Sequence, residues 1–201
     1  MARGRRRAAK TSRAPFVIRP LTPSRWADLE TLFGPRGACA GCWCMWWRLP
    51  APEWKRGKGE SNRRALQALV RRNVPIGVVA YRGREPAGWC AVAPRADLPR
   101  LERSRVLAPV DDTPVWSVTC FYVARPYRRG GLSTRLIEAA VRFARSRGAR
   151  LVEGYPVDLR AGKSIADAWA FTGFASSFRA AGFREVERRS KTRPIMRRAL
   201  R

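Results

Sequence analysis

One stretch in the second half of the chain constrains the fold more than any other. Residues 115–123, VWSVTCFYV, are mostly β-branched or aromatic and have the length of a buried strand. From Leu132 onward, apolar residues recur at helical spacing until Gly148, where a left-handed helix stop is expected. Gly130 and Gly131 stand between the two segments. The stretch therefore predicts a strand, a tight turn and a helix in succession.

The predicted turn has the chemistry of an anion-binding site. Gly130 and Gly131 would let backbone N–H groups approach a ligand closely, and the start of the following helix carries partial positive charge. Arg128 and Arg129 would add two full positive charges. A tight turn that binds nothing also needs glycine, so the glycine pair alone leaves both alternatives open.

The residues around the glycines resemble a known signature. Val123, Arg128, Gly131 and Ser133 stand at the spacing of the acetyl-coenzyme A signature of the GNAT superfamily of N-acetyltransferases, a strand valine followed by Arg/Gln-x-x-Gly-x-Gly/Ala. Ser133 departs from the small apolar residue of that family, a change that would tighten or shift the turn. The resemblance implies acetyl-coenzyme A as cosubstrate, held by Phe121, Tyr122, Val123, Arg128, Arg129, Gly130, Gly131, Leu132, Ser133 and Thr134.

The resemblance extends from about residue 16 to residue 200 and implies the GNAT fold. This is a mixed α/β (α+β) architecture whose central sheet is twisted, mostly antiparallel and splayed at the cofactor site, with helices on both faces. Strands are predicted over 16–21, 76–81, 86–92, 115–123, 150–157, 183–189 and 195–200. Besides the helix that starts at Leu132, helices are predicted over 24–33, with Ser24 as N-cap, 62–72 and 166–181.

Length and composition predict one domain. The 201 residues are enough for a compact core and too few for two domains of ordinary size. Residues 1–14 are basic and poor in apolar side chains, so they are predicted to be a disordered tail before an acetyltransferase domain over 15–201. No apolar run reaches membrane-spanning length, and none follows the basic amino terminus as in a secretory signal. The expected location is the cytoplasm, without membrane association.

The charge balance is extreme, with 42 Lys and Arg against 15 Asp and Glu and a net charge of +27. Such a positive field attracts polyanions and anionic cofactors, so weak affinity for nucleic acid stays open. A coding bias toward arginine would explain arginine over lysine but not the shortage of acids. Histidine is absent, which excludes an imidazole base and histidine metal ligands.

Residues 39–48, CAGCWCMWWR, concentrate three thiols and three indoles. Cys39 and Cys42 form one Cys-x-x-Cys pair, and Cys44 adds a third thiol. A structural zinc site normally needs four ligands, so no metal site is predicted. The indoles are compatible with two roles: completing the core, or forming a rigid apolar wall of the acceptor pocket, which this region commonly shapes in GNAT enzymes.

The resemblance implies direct transfer of an acetyl group from coenzyme A to a primary amine. The pantetheine arm would pair with exposed backbone at residues 121–123, whose N–H groups would polarise the thioester carbonyl. The pyrophosphate would lie on residues 128–134. The amine must lose a proton before it attacks, so a base is needed directly or through water.

The base common in the family is missing from its usual position. GNAT enzymes often carry a glutamate six residues before the strand valine, where this chain has Ser117. A water held by Ser117 would pass the proton to a carboxylate, and Glu153, Asp111 and Asp112 are the nearest candidates in sequence. Each of these acids is also compatible with a structural ion pair to arginine.

The usual acid is missing as well. The family often places a tyrosine four residues before the glycine of the closing corner, and this chain has Phe178 there. Tyr155 or Tyr122 would substitute, or the coenzyme A thiolate would leave without an acid. The predicted catalytic set is therefore Glu153, Ser117 and Tyr155.

The sequence thus predicts an acetyl-coenzyme A-dependent N-acetyltransferase acting on a primary amine of a small molecule or a peptide. Two alternatives stay open. One is a basic module associated with nucleic acid or ribosomes. The other is a GNAT-like protein that binds coenzyme A without turnover, as Ser117 and Phe178 suggest. The sequence predicts neither the identity of the acceptor nor the oligomeric state.

Overall fold

The computed structural model describes residues 14–159, 165 and 169–200. Residues 1–13, almost all of the predicted tail, lie outside the described part. Seven strands form one sheet in the order β1-β2-β3-β4-β5-β7-β6, antiparallel throughout except that β4 and β5 run parallel. The strands are β1 (Phe16–Pro20), β2 (Gly77–Arg82), β3 (Glu85–Pro94), β4 (Trp116–Val123), β5 (Leu151–Gly154), β6 (Arg184–Glu187) and β7 (Ile195–Ala199).

Helices cover both faces of this sheet. They are α1 (Trp26–Phe33), α2 (Ala51–Arg56), α3 (Glu60–Arg71), α4 (Pro99–Glu102), α5 (Leu132–Arg145) and α6 (Ala175–Ala180). Leu136 and Ile137 of α5 are fully buried against one face, and Leu29 of α1 and Leu66 of α3 are buried against the other. No helix in the described ranges is long and apolar enough to cross a membrane. The predicted mixed α/β architecture is confirmed.

The alternation of side chains along the central strands explains why two cores form. In β2, Val78 and Ala80 pack in the core with α5, whereas Val79 between them packs in the core with α1 and α3. This period of two is that of a strand buried on both faces. In α5 the buried positions recur at helical spacing, so one side of the helix supplies the core.

The sheet opens between β4 and β5. The two strands pair only from Trp116 to Val118, and β4 then continues to Val123 while β5 ends at Gly154. Thr119 is an extra residue in the pairing of β4 with β3, which makes it a β-bulge. The predicted splay is therefore present, and β5 does not cover the edge of β4 beyond the bulge.

The predicted helix over 166–181 is wrong for residues 169–174 and correct for residues 175–180. Residues 166–168 lie outside the described part, and the helix begins only at Ala175. Gly173 has a φ of +81°, a left-handed conformation that interrupts a helix, and Phe174 instead bridges to Val157 as in a parallel sheet. The strand predicted over 150–157 correspondingly ends early, at Gly154.

The start of α1 also differs from the prediction. Ser24 lies in a 3-10 turn, Pro23–Arg25, that precedes the helix, and no side chain caps α1 itself. The Ser24 hydroxyl oxygen lies 2.9 Å from the hydroxyl oxygen of Thr22. The proline fixes a tight turn at this point, so the serine is placed too early to act as the N-cap.

Candidate active site

The loop between β4 and α5 presents a row of backbone N–H groups. A 3-10 turn, Arg125–Tyr127, leads into it, and both Arg129 (φ +60°) and Gly131 (φ +73°) are left-handed. Within the described part of the chain, no N–H group from Arg129 to Thr134 donates a hydrogen bond. The first bond of the helix runs from the Arg135 N–H to the Gly131 carbonyl over 3.3 Å. Six donors are therefore available to an anion at the positive end of α5.

The space beside these donors is open at both glycines. A Cβ built on Gly131 would meet nothing within 4 Å, and one built on Gly130 would lie 3.8 Å from the Tyr127 carbonyl oxygen. Position 131 requires glycine because its backbone is left-handed. Gly130 does not have a positive φ, so its backbone does not require glycine. The fold thus leaves room for a ligand without crowding from the protein.

Arg128 fastens the loop to the strand. Its Nε donates to the Val123 carbonyl over 2.9 Å, which ties the loop to the last residue of β4. This contact gives the signature arginine a structural role that the sequence analysis did not include. The other predicted pyrophosphate ligands lie in the same loop and first helical turn: Arg129, Gly130 and Gly131 are exposed, Leu132 is buried, and Ser133 and Thr134 are half-buried.

The edge of β4 beyond the bulge is hydrogen-bonded to other parts of the chain. The Trp47 indole N–H donates to the Thr119 carbonyl over 3.2 Å. The Phe121 N–H donates to the Phe171 carbonyl over 2.6 Å. The expectation of free backbone at residues 121–123 therefore does not hold at Phe121 in this arrangement, because a carbonyl of the same chain accepts from that donor.

The wedge segment, residues 171–174, runs between the splayed strands. Besides its bond to Phe121, it pairs on the other side with Val157, whose N–H donates to the Gly173 carbonyl over 2.8 Å. A Cβ on Gly173 would come within 3.0 Å of the Phe121 ring, so this position needs glycine for space as well as for conformation. Arg193 holds the segment from outside, donating to the Thr172 hydroxyl over 2.6 Å.

The side chains of the two residues before Val123 lie in different cores. Phe121 packs edge-to-face on Phe178, with ring centroids 6.0 Å apart, in the core with α5. Tyr122 packs edge-to-face on Phe33 of α1 at 5.7 Å. Phe178 is fully buried, so this position serves packing.

The three residues predicted to be catalytic meet in one hydrogen-bonded chain. The Ser117 hydroxyl oxygen lies 2.8 Å from that of Tyr155, and Tyr155 donates to Glu153 Oε1 over 2.6 Å. Ser117 and Glu153 are direct partners in the pairing of β4 with β5. Tyr155 follows two residues later and so lies on the same side of the strand.

This trio is closed to solvent. Ser117, Glu153 and Tyr155 are fully buried, and Tyr155 packs in an apolar cluster with Leu101. Burial raises the pKa of the Tyr155 hydroxyl, the Glu153 charge acts in the same direction, and Arg95 opposes both. Tyr155 therefore stays protonated. In this geometry none of the three residues faces an opening through which an acceptor could reach it.

Two arginines that the sequence analysis did not identify complete the network. Arg95 Nη1 lies 3.1 Å from Glu153 Oε1 and donates to the Tyr155 hydroxyl over 2.7 Å, and Arg197 Nε donates to Glu153 Oε2 over 2.6 Å. Arg197 stands opposite Glu153 in the pairing of β5 with β7, so aligning the predicted strands could have revealed it. Arg95 follows β3 in a 3-10 turn and gives no comparable signal.

The two other candidate bases lie at the surface. Asp111 accepts from Arg197 Nη1 over 2.6 Å, and this hydrogen bond is the main cause that lowers the pKa of its carboxyl to about 2. Asp112 is exposed. A carboxyl with so low a pKa is a weak base, so Asp111 is poorly suited to take a proton from an amine.

The tryptophan-rich segment contributes both to the core and to the wall of a cavity. Trp43 is buried and stacks on Trp26, with ring centroids 6.0 Å apart. Trp46 and Trp47 line a cavity of about 480 Å³, called here the tryptophan cavity. Its other walls are residues 49–52, at the start of α2, and Pro99, Arg100, Arg103 and Ser104 of α4 and the turn after it. Trp47 also contacts Thr119, so the cavity lies next to the bulge of β4.

The cysteines of this segment are free thiols. Among the described residues, no group of three or more histidine, cysteine or acidic side chains could hold a metal ion. Cys44 Sγ lies 3.2 Å from Cys120 Sγ and accepts the Trp89 indole N–H over 3.2 Å. Cys39 is exposed. Burial raises the pKa of the Cys42 thiol to about 11, so it is a poor nucleophile near neutral pH.

Known proteins resemble this chain in sequence profile and in fold. Residues 43–159 match the profile of the acetyltransferase (GNAT) family. A GNAT-family acetyltransferase from Listeria monocytogenes is 9% identical with a TM-score of 0.54, covering 95% of this chain and 98% of that chain. Polyamine N-acetyltransferase from Drosophila melanogaster is 12% identical with a TM-score of 0.53, covering 92% and 100%. Ribosomal-protein-S5-alanine acetyltransferase from Vibrio fischeri is 12% identical with a TM-score of 0.50, covering 92% of each chain.

At these identities the structural matches establish the fold alone, and the predicted fold is confirmed. No protein of curated function matches the sequence significantly.

Proposed function

Because the chain belongs to the acetyltransferase (GNAT) family and acetyl-coenzyme A is its cosubstrate, we propose that it transfers an acetyl group to a primary amine. The thioester supplies the acetyl group: a C–N bond forms at the carbonyl carbon, the C–S bond breaks, and the proton lost by the amine goes to the departing sulfur. The side chains and backbone of the protein bind and orient the two reactants.

One observation supports this function more than any other. The N–H groups from Arg129 to Thr134 lie in the loop before α5 and in its first turn, and they make no hydrogen bond within the described part of the chain. Backbone donors left open in this way are costly unless water or a ligand accepts from them. A diphosphate offers several anionic oxygens to such a set of donors, and the exposed Arg129 adds charge beside them.

The pantetheine arm needs a change at the edge of β4. An arm that pairs with β4 as an additional strand would take the Phe121 N–H, which now donates to Phe171. The wedge segment must therefore release this donor when the arm binds. Once released, the Phe121 N–H is positioned to polarise a carbonyl oxygen placed beside β4.

The acceptor is assigned to the tryptophan cavity. It is of a size typical of small-molecule sites, which are roughly 300 to 1,000 Å³. Trp47 forms part of its wall and donates to the Thr119 carbonyl, two residues from Phe121. An amine in the cavity therefore lies on the same stretch of β4 that would hold the thioester.

We assign Ser117, Tyr155 and Glu153 a positioning role. Together they join β4 to β5 just before the strands separate. The charge of Glu153 is already balanced by Arg95 and Arg197. Glu153 is therefore a poor candidate for the base that takes the proton from the amine. The amine then reacts as its neutral form, in an amount set by the pH of the solution.

The acceptors printed for the structural neighbours do not identify the acceptor here. The Drosophila enzyme acts on polyamines and the Vibrio enzyme on the alanine of a ribosomal protein. At 12% identity each neighbour supports the fold of this chain and no more.

Thiol release in the presence of amines tests the proposed function. The purified protein is mixed with acetyl-coenzyme A and a panel of primary amines that includes an amino acid, an aromatic amine, a polyamine and a short peptide. We expect thiol release above the background hydrolysis with at least one amine, together with a product that mass spectrometry shows to carry one added acetyl group. Binding of acetyl-coenzyme A without turnover on any amine would favour the alternative of a non-catalytic coenzyme A-binding protein.

A further inference from the structure

The tryptophan cavity is lined by positive charge. Arg100 and Arg103 line it, and none of its lining residues is acidic. The nearest acid in sequence, Glu102, instead accepts a hydrogen bond from Arg95 Nε over 2.7 Å. Arg95 is the arginine that also binds Glu153 in the buried network. A ligand in the cavity thus meets positive charge that no carboxylate of the wall neutralises.

Arg100 is held in place by the wall of the cavity. Its guanidinium carbon lies 3.4 Å from the centroid of the Trp46 ring, and its Nη1 donates to the Trp46 carbonyl over 3.3 Å. Stacking of this kind orients the planar guanidinium and leaves its other N–H groups to bind a partner. Desolvation lowers the pKa of Arg100, which means that its surroundings do not compensate its charge fully.

Arg103 provides a second cation at the same wall. It follows α4 by one residue and is exposed, and its guanidinium makes no hydrogen bond or ion pair within the described part of the chain. Two guanidiniums that line one cavity match the two oxygens of a carboxylate. The rest of the wall, with two indoles and three prolines, suits an apolar or aromatic group.

From these contacts we propose that the tryptophan cavity binds a small amine that also carries a carboxylate and an apolar or aromatic group. The carboxylate pairs with Arg100 and Arg103, the apolar group lies against Trp46 and Trp47, and the amine points toward β4. This inference rests on the proposed acetyl transfer for the fate of the amine, while the binding itself rests on the cavity. Polycationic amines are disfavoured, because they would lie beside two uncompensated guanidiniums.

Three matched amines test the requirement for a carboxylate. Phenylalanine has the carboxylate, phenylalaninamide replaces it with a neutral amide, and phenethylamine lacks it. We expect kcat/KM for phenylalanine to exceed that for either analogue by about tenfold or more, as for loss of a hydrogen bond to a charged group. An equal or higher kcat/KM for phenethylamine would overturn the inference.

Variants test the two arginines. Arg100→Gln and Arg103→Gln should each lower kcat/KM for phenylalanine by about tenfold, a larger loss than either variant causes for phenethylamine, which has no carboxylate. The control is Arg105→Gln, which removes an exposed arginine that does not line the cavity. If all three variants behave alike, the cavity does not recognise the carboxylate and the inference is wrong.

A binding measurement separates this inference from the proposed function. N-acetylphenylalanine, the product expected from phenylalanine, is titrated into the protein by calorimetry without acetyl-coenzyme A. Binding that Arg100→Gln weakens about tenfold supports the cavity even if no amine is acetylated, in which case only the proposed function fails. Absence of binding to the wild-type protein overturns the inference even if other amines are acetylated.

Discussion

The backbone N–H of Phe121 donates to the carbonyl of Phe171 over 2.6 Å, at the point where β4 has lost β5 as its neighbour. The chain thereby supplies a carbonyl where an additional strand would place one. Binding of a pantetheine arm at this edge and closure of the wedge segment are therefore mutually exclusive. If the arm binds there as proposed, the affinity for acetyl-coenzyme A includes the free energy of opening this contact.

Arg193→Ala should increase the affinity for acetyl-coenzyme A. The substitution removes the hydrogen bonds from Arg193 to the Thr172 hydroxyl and to the Trp169 carbonyl, and so weakens the closed wedge segment. If the closed form loses about 1 kcal/mol of stability, the dissociation constant for acetyl-coenzyme A should be about fivefold lower. Calorimetric titration measures this directly. The matched control is Arg189→Ala, which loses two bonds to the carbonyls of Ala108 and Pro109 and should leave the affinity unchanged.

Glu153→Gln should destabilise the fold strongly. Glu153 is fully buried and binds both Arg95 and Arg197, so the substitution leaves these two guanidiniums with only their partly exposed partners, Glu102 and Asp111. Breaking a buried pair of this kind costs about 3 to 5 kcal/mol. Urea unfolding measures the difference. Glu102→Gln is the control, because it removes a half-exposed partner of the same Arg95 and should cost less than about 1 kcal/mol.

Tyr155→Phe distinguishes a positioning role from a catalytic one. The change removes a hydroxyl that binds Ser117, Glu153 and Arg95, so stability should fall by about 1 to 2 kcal/mol. The dependence of kcat on pH should keep its shape, since Tyr155 is closed to solvent and stays protonated. Loss of most of kcat with unchanged stability would instead assign Tyr155 to proton transfer.

Asp111 should make stability fall in acid. Its pKa is lowered to about 2 in the folded protein, chiefly by the hydrogen bond from Arg197, whereas an unfolded aspartate titrates near about 3.9. The unfolded chain therefore binds the proton first as pH falls, so the contribution of Asp111 is complete above about pH 5 and is lost toward pH 2. Near neutral pH, the urea midpoint of Asp111→Asn should be lower than that of the wild type. In acid the two midpoints should approach each other. The control is Asp112→Asn, which removes the same charge from an exposed neighbouring acid.

The sequence predicted the parts of the site that depend on residues close together in the chain. Gly131, Arg128 and Val123 lie within nine positions, and their types alone determine the turn and the start of α5. Ser117 and Glu153 are distant in the chain, and they were named together with Tyr155 because the resemblance to the GNAT family implies the order of the strands. In the loop before α5, the local pattern and the final fold agree.

The wedge segment could not be predicted in this way. The contact between Phe121 and Phe171 joins backbone atoms fifty residues apart, and no side-chain pattern encodes a bond between an amide and a carbonyl. The aromatic residues around this contact indicated a helix. Gly173 instead takes a left-handed conformation, which interrupts a helix at this point. The cavity was likewise hidden, because Trp46 and Arg100 meet only after α4 has folded back on the tryptophan-rich segment.

Thermal unfolding with and without acetyl-coenzyme A, on the wild type and two variants of Gly130, tests the central claim that the loop before α5 binds the diphosphate. Gly130 has no positive φ and space for a side chain, so Gly130→Gln and Gly130→Glu should both fold. A ligand at about one hundred times its dissociation constant stabilises the wild type by about 2.7 kcal/mol, a rise in midpoint of several degrees. We predict that Gly130→Gln keeps much of this rise and that Gly130→Glu, which places a carboxylate among the donors, abolishes it. An unshifted wild type, or an equal rise in Gly130→Glu and Gly130→Gln, would contradict the account.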